Sequence, residues 1–468
     1  MRNVFMYELK LLFRNRSGII ACLCFLAIGA YALYYGKSFQ DRQLTTIHRL
    51  DTAYQNRVQK QIRNFTADTT TQQGKQRYQY AHDAFMNEWF TRPMVWKQPA
   101  PLQAMSIGQS DTQPFFYNLW VYMNVYNTKY LELRNPEKLM TGNFDLSFVI
   151  LYLLPLLIIT VSYGVLSEDR ESGISPVAYT QGATTASTLY TRLGFRLLVV
   201  CTIAVALSFA GFILNGVTEL AAISGWTLIV LGYTLFWFAV VAVIVSLQKT
   251  SAINALALVS MWVAVLIFIP TVVNSLRDAQ DPERLTLSDA SREVSSKFWG
   301  MEKKRVVDTL YQVRPQWGTY ASRDTNEIRS TAYAYLTALH MNGLGRDIDA
   351  GIRQEEEYLR HWNIINPAFT AQLALNTLAQ SEIDQFIAFR QAASDYQQRR
   401  MEALFDVRLS GRPFTVDVYE AYPQFKPTDY ETKQSIRSLL LPLFILTVAL
   451  FVISLIVLRK KEVIVFNT

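Results

Sequence analysis

Residues 147–166 read SFVILYLLPLLIITVSYGVL and contain no charged side chain. Twenty residues of α-helix rise about 30 Å, which is the thickness of the hydrocarbon core of a bilayer. The stretch therefore predicts a membrane-spanning helix. Pro155 lies inside it, and membrane helices accept such a proline because neighbouring groups satisfy the freed carbonyl. A soluble protein is excluded by this stretch and the runs that resemble it.

Similar apolar runs recur on both sides of this one. Half of the 468 residues are hydrophobic, yet the mean hydropathy is only +0.10, because the rest of the chain is strongly polar. The other predicted spans are 18–35, 194–214, 226–246, 252–273 and 438–458. These runs predict an all-α integral membrane protein with six transmembrane helices.

Basic residues beside the short connections set the expected orientation. Arg16, Arg192, Lys249 and Arg459 all fall on one side of the membrane if the six spans alternate. By the positive-inside rule that side is the cytoplasm, so both termini and the tail 459–468 are predicted to be cytoplasmic. A secretory signal peptide is the rival interpretation of the first span. We favour an uncleaved anchor.

Two long polar segments, 36–146 and 274–437, are then left outside. Each is long enough to be a domain. The first is weakly basic and the second weakly acidic, so neither indicates nucleic-acid binding. Apolar residues at helical spacing predict a mainly helical structure for both. Predicted helical stretches are 44–62, 284–312, 325–342, 346–361 and 367–406, the last opened by an Asn366-Pro367 cap.

The chain offers no catalytic or metal-binding set. Its three cysteines lie in apolar runs, and its four histidines are scattered singly through polar regions. Gly36-Lys37-Ser38 supplies only the end of a phosphate-binding loop and follows a membrane span rather than a strand. We therefore predict that the chain is not an enzyme and holds no cofactor. If ATP drives the protein, another chain must bind it.

Two cytoplasmic stretches mix apolar and charged residues. Residues 1–17 suit an amphipathic helix at the membrane interface. The connection 167–193 begins with the charged sequence Ser-Glu-Asp-Arg-Glu-Ser-Gly and is long for a simple turn. Its middle, 176–189, is predicted to form a short helix parallel to the membrane, of the kind that a rigid cytoplasmic partner grips.

The ordered series from Gly142 to Gly173 resembles bacterial ABC-2-type transporter permeases. It comprises Gly142-Asn143-Phe144-Asp145-Leu146-Ser147-Phe148, then Tyr152-Leu153-Leu154-Pro155-Leu156-Leu157, Tyr163 and Glu168-Asp169-Arg170-Glu171-Ser172-Gly173. The sequence looks most similar to the subgroup with two large outer insertions. Six spans, cytoplasmic termini and the helix starting at Asn366-Pro367-Ala368 agree with that family.

This resemblance implies roles for both cytoplasmic stretches. Residues 1–17 would be an elbow helix, with Tyr7, Lys10, Arg14 and Arg16 as its site residues. The docking loop for a nucleotide-binding subunit would be formed by Glu168, Asp169, Arg170, Glu171, Ser172 and Gly173. Two departures concern this loop. Ile174-Ser175-Pro176 stands where the family usually continues with Thr-Leu, and Arg192 stands where it commonly has Lys.

The resemblance also implies partners. Two copies of an ABC ATPase subunit would bind ATP and Mg²⁺, and a second copy of this chain or a related permease would complete the assembly in the lipid of a bacterial inner membrane. The expected function is ATP-driven transport, with export favoured. The alternative is a mechanical transmitter that moves its outer domains against envelope proteins without passing a substrate. The cargo, the direction and homo- or heterodimerisation stay open.

Overall fold

The computed structural model describes residues 8, 16–120, 124–126, 143–173, 184–278, 287–319, 325–362, 366–426 and 437–466. Six helices in these ranges are long and apolar enough to cross a membrane. They are Arg16–Asn64, Leu146–Glu171, Thr185–Leu214, Leu220–Ser246, Ser251–Val273 and Leu440–Lys460, called spans 1 to 6. The predicted all-α class and the six spans are confirmed. Span 3 begins at Thr185 rather than at residue 194, because Thr184 caps it by accepting from the Ser187 amide at 3.1 Å.

Span 1 is a single helix of 49 residues that continues well beyond the apolar run. The apolar stripe predicted from residue 44 onward lies in its second half, and Gln40, Gln43 and Ile47 are buried there. After Asn64 the chain turns, and Thr71 caps the next helix through a 3.1 Å bond from the Gly74 amide. The turn at residues 65–71 therefore separates two helices.

The two long polar segments, 36–146 and 274–437, are called the outer segments after their predicted location. They contribute further helices and one small sheet among the described residues. Strands β1 (Met94–Trp96) and β2 (Phe116–Asn118) pair antiparallel, with a 3₁₀ turn at Pro101–Ala104 between them. The outer helices are α1 Gln72–His82, α2 Ala84–Phe90, α3 Leu287–Trp299, α4 Lys303–Val313, α5 Pro315–Gly318, α6 Thr325–Trp362, α7 Pro367–Leu378, α8 Ile383–Ser410 and α9 Val416–Glu420.

Helix boundaries differ from the sequence-based expectation at three places. The stretch 284–312 is broken at residues 300–302 into α3 and α4. The stretches 325–342 and 346–361 form one continuous helix, α6. The stretch 367–406 is instead broken into α7 and α8 at residues 379–382, where Gln380 has a positive φ of 52° and the Ser381 amide bonds the Asn376 carbonyl at 3.0 Å. The glycines inside α6 suggest a break that does not occur. The left-handed Gln380 ends a helix where a glycine would be expected, so helical spacing alone does not predict it.

The two outer segments pack against one another. Phe65 and Trp120 from the first segment share a buried cluster with Phe298, Leu404 and Phe405 from the second. A second cluster joins the small sheet to α8. The sequence suggested two separate domains; the structure gives the segments common hydrophobic cores.

Both outer segments also enter the outer end of the span bundle. Met105 from the first segment, and Ala371 and Leu375 from α7, are buried in the same cluster as the spans. Helix α7 contacts spans 4 and 6. Gly36 of span 1 permits the close approach of the 3₁₀ turn, because a Cβ there would lie 1.8 Å from the Ala104 carbonyl oxygen. The outer body is thus anchored in the bundle as well as connected to it.

Candidate functional site

The predicted docking loop begins as one short helical turn, Ser167–Glu171, at the end of span 2 that is predicted to be cytoplasmic. The Ser172 hydroxyl donates to the Glu168 carbonyl at 2.7 Å and closes this turn. Gly173 follows with a φ of 73°, a left-handed conformation that favours glycine. Gly164 lets the Glu168 side chain pack closely, since a Cβ there would lie 2.1 Å from its Oε1. The loop therefore has a defined shape at its start.

Two charged side chains of this loop hold the connection between spans 4 and 5. Arg170 donates to the backbone carbonyls of Gln248 and Lys249, the latter at 2.7 Å. Glu171 accepts from the Ser251 amide at 2.7 Å and from its hydroxyl at 2.9 Å. Gln248 itself has a positive φ of 54°, so the connection is a tight turn whose carbonyls face the arginine. The connections after spans 2 and 4 thus form one surface.

A third charged residue of the loop faces the start of span 3. Asp169 pairs with Arg192 at 2.7 Å, and Arg192 also pairs with Glu8 at 3.0 Å. Arg192 further donates to the Val165 carbonyl at 2.9 Å. Arg196, one helical turn further along, lies 3.8 Å from Glu8 and donates to the Val161 carbonyl. We call Glu8, Asp169, Arg192 and Arg196 the inner ion cluster.

The inner ion cluster is largely removed from solvent. The side chains of Glu8 and Arg192 are 2% and 12% exposed. Two acids balance two arginines, and backbone carbonyls take further guanidinium donors, so the buried charges are compensated. Because these bonds join the N-terminal stretch, span 2 and span 3, a displacement of the loop must move all three or break the cluster.

The structure thus separates the predicted loop residues into two groups. Asp169, Arg170 and Glu171 are occupied by contacts within the chain. Glu168, Ser172 and Gly173 form the second group and are exposed. Arg170 and Glu171 are exposed as well, and so is Lys249 on the neighbouring turn. The predicted interfacial helix 176–189 falls mostly outside the described residues, although 185–189 belong to span 3.

The predicted elbow residues are covered only in part. Tyr7, Lys10 and Arg14 lie outside the described residues. Arg16 is described, and it is the exposed first residue of the span 1 helix.

Glu8, Arg196 and residues 248–251 were not predicted to belong to this site, and Arg192 was not predicted to pair with Glu8. Glu8 is the one acid among the basic residues of 1–17, and that isolation is a signal for a specific partner. Arg192 and Arg196 are four apart and so share a helix face, which could have predicted a common acid. Residues 248–251 contribute the Gln248 and Lys249 carbonyls, the Ser251 amide and the Ser251 hydroxyl. The three backbone groups carry no sequence signal.

The partial phosphate-binding pattern at Gly36-Lys37-Ser38 does not belong to this site. Gly36-Lys37-Ser38 lies within the continuous helix of span 1, where Lys37 pairs with Asp41 at 3.0 Å. Within the described ranges, no group of three or more His, Cys, Asp or Glu side chains is placed to hold a metal ion.

Comparison with known proteins gives one result that covers nearly the whole chain. The family model described as ABC-2 family transporter protein matches residues 2–463. No curated protein and no solved structure gives a significant match. The match includes all six spans, both outer segments and the inner ion cluster. The chain is a membrane protein that belongs to the ABC-2 transporter family.

Proposed function

We propose that this chain is the membrane-spanning permease subunit of an ATP-driven ABC transporter of the bacterial inner membrane. Two ATPase subunits would bind ATP and Mg²⁺ below it, and a second permease would complete the pore. Family membership over residues 2–463 is the observation that carries this proposal. The shaped cytoplasmic surface around 167–173 and 248–251 supports it, because force transfer needs a rigid contact.

The exposed tip of that surface is the proposed docking point. Lys249 projects from the turn that Arg170 and Glu171 hold, and its side chain is exposed. A carboxylate at position 249 would reverse the charge of this surface, while the backbone carbonyl of residue 249 could still accept from Arg170. Replacing Asp169, Arg170 or Glu171 instead would break internal contacts and confuse docking with folding.

The test is purification of the native chain in a mild detergent, followed by mass spectrometry and an ATPase assay. A stoichiometric nucleotide-binding subunit with ATPase activity is expected. Lys249→Glu should lower the amount of nucleotide-binding subunit retained on the permease by about ten-fold, since one lost interfacial ion pair is worth about 1–2 kcal/mol. Lys75→Glu is the matched control, because Lys75 is an exposed lysine of the outer segment. Recovery of the chain without any nucleotide-binding subunit would overturn the proposal.

One observation also favours the second candidate, a mechanical transmitter. Helix α7 and the 3₁₀ turn of the outer segments are buried among the spans, so span movement must move the outer body. In that case ATP-dependent cross-linking of the outer body to envelope proteins is expected. Vesicles containing the complex would show no ATP-dependent cargo uptake or release.

A further inference from the structure

Spans 2 and 5 each contain one π-helical turn. These turns lie at Val149–Leu153 and Ala264–Phe268. A π-helical turn interrupts the regular hydrogen-bond ladder of a helix and is frequent at functional positions. In a membrane each interrupted carbonyl needs another donor, because no water is present to replace the lost bond.

Side chains from neighbouring elements donate to carbonyls within these turns. Trp262 of span 5 donates through Nε1 to the Tyr152 carbonyl of span 2 at 3.0 Å. Tyr233 of span 4 donates to the adjacent Leu151 carbonyl at 2.8 Å. Asn366, the cap of α7, donates through Nδ2 to the Val265 carbonyl of span 5 at 3.0 Å. The π-helical turns are therefore the points where other elements attach.

Spans 2 and 5 are also joined at their cytoplasmic ends. The Ser251 hydroxyl lies 2.8 Å from the Ser167 hydroxyl, and Glu171 holds the Ser251 amide. One turn further into the membrane, Asn254 donates to the Tyr163 carbonyl at 3.3 Å. Hydrogen bonds thus link this span pair from the docking loop to its middle, and Asn366 continues the series to the outer body.

We propose that Asn366 and Trp262 are positioning residues that transmit movement of the 167–173 loop to helix α7. Trp262 keeps span 5 in register with span 2, and Asn366 makes α7 follow span 5. This inference rests on the proposed function, because that function supplies the force at the loop. It adds the route by which nucleotide-driven movement reaches the outer body.

Two substitutions remove the proposed links while keeping the local fold. Asn366→Ser retains a side-chain acceptor for the Ala368 and Phe369 amides, which Asn366 now caps, but it lacks the Nδ2 donor. Trp262→Phe keeps an aromatic ring in span 5 and loses the Nε1 donor. Trp226→Phe is the matched control, because Trp226 donates from span 4 to the Ser208 hydroxyl of span 3 at 3.2 Å, away from this route.

The experiment is hydrogen exchange on the native permease–ATPase complex, with and without Mg²⁺ and the non-hydrolysable nucleotide AMP-PNP. In the unaltered complex, exchange should change both in 167–173 and in α7. Asn366→Ser and Trp262→Phe should each reduce the change in α7 by about five-fold, as expected for one hydrogen bond, while the change in 167–173 persists. Trp226→Phe should leave both changes as they are.

The outcomes separate the two proposals. If α7 responds to nucleotide as strongly in both variants as in the unaltered complex, the inferred route is wrong and the proposed function stands. If residues 167–173 of the unaltered complex do not respond to nucleotide, the proposed function fails and this inference fails with it. Subunit ratio after purification checks that the variants are assembled.

Discussion

At the residue scale, a buried ion pair joins the two outer segments. Glu88 and Arg400 form three hydrogen bonds of 2.9–3.1 Å, and their side chains are 2% and 3% exposed. Burial acts to lower the pKa of Arg400, but the Glu88 carboxylate and neighbouring groups outweigh it and raise that pKa well above its usual value, so the guanidinium stays charged. Breaking such a pair leaves an uncompensated buried charge, which costs about 3–5 kcal/mol.

We therefore expect Glu88→Ala to lower the free energy of unfolding of the outer body by about 3–5 kcal/mol. Pulse proteolysis of the detergent-solubilised chain in increasing urea measures this. Asp395→Ala is the control, because the Arg346–Asp395 pair is about half exposed and should contribute 1 kcal/mol or less. If Glu88→Ala and Asp395→Ala had equal effects, the buried Glu88–Arg400 pair would contribute no more to stability than an exposed pair, and the prediction would be wrong.

A second residue-scale prediction concerns pH. Burial lowers the pKa of Lys97 to about 8, and its ammonium donates to the Gln380 carbonyl at 2.7 Å. In the unfolded chain this lysine titrates near 10.4. The folded state thus loses its proton first as pH rises, and stability increases between pH 8 and pH 10.4.

The expected gain from about pH 7.5 to pH 9.5 is roughly 2 kcal/mol in the free energy of unfolding, measured by the same urea assay. Lys97→Met should flatten that dependence, while Lys75→Met, at an exposed position, should not. A stability of the native chain that falls over this range would show that the lysine is not a buried cation.

At the element scale, a close approach explains one glycine of span 1. Gly36→Ala would place a Cβ 1.8 Å from the Ala104 carbonyl and push the 3₁₀ turn away from the span. We expect a loss of about 1–3 kcal/mol, as for other overpacked sites. Gly194→Ala in span 3 meets nothing within 4 Å and should be neutral or slightly stabilising, because alanine is the better helix former. Thermal unfolding followed by tryptophan fluorescence compares the two, and a stable Gly36→Ala would rule out the contact.

Element boundaries also show what could be read from the sequence. The spans, the continuation of the first span as a helix and the Asn366 cap follow from apolar runs, helical spacing and capping residues. The structure confirms all three. The π-helical turns of spans 2 and 5 do not, because each depends on a donor from a distant element, such as Asn366 on the Val265 carbonyl.

The candidate site was predictable to a similar extent. The charged loop after span 2 was identified, but its partners were not. Arg170 binds backbone carbonyls 78 and 79 residues away, and backbone groups are the same in every sequence. Opposite charge suggests that Glu8 could pair with Arg192, but the pairing also depends on how the spans pack, which the sequence does not show.

At the scale of the whole molecule, the common core of the outer segments has a consequence for folding. Phe298, Leu404 and Phe405 of the second segment pack on Phe65 and Trp120 of the first. A segment that lacks its partner exposes these side chains, and each large apolar side chain left exposed costs about 1.5–3 kcal/mol. Total stabilities are only about 5–15 kcal/mol, so we expect that neither segment folds by itself.

We therefore expect a purified fragment of residues 287–426 to be unfolded or aggregated, without a cooperative transition in urea followed by circular dichroism. Co-expression with residues 36–126 should restore a soluble complex, since these residues include β1, β2, Phe65 and Trp120. Glu88→Ala in the shorter fragment should weaken that complex, because the pair with Arg400 then bridges two chains. A sharp unfolding transition of residues 287–426 alone would mean that the outer body consists of two domains that fold separately before they pack together.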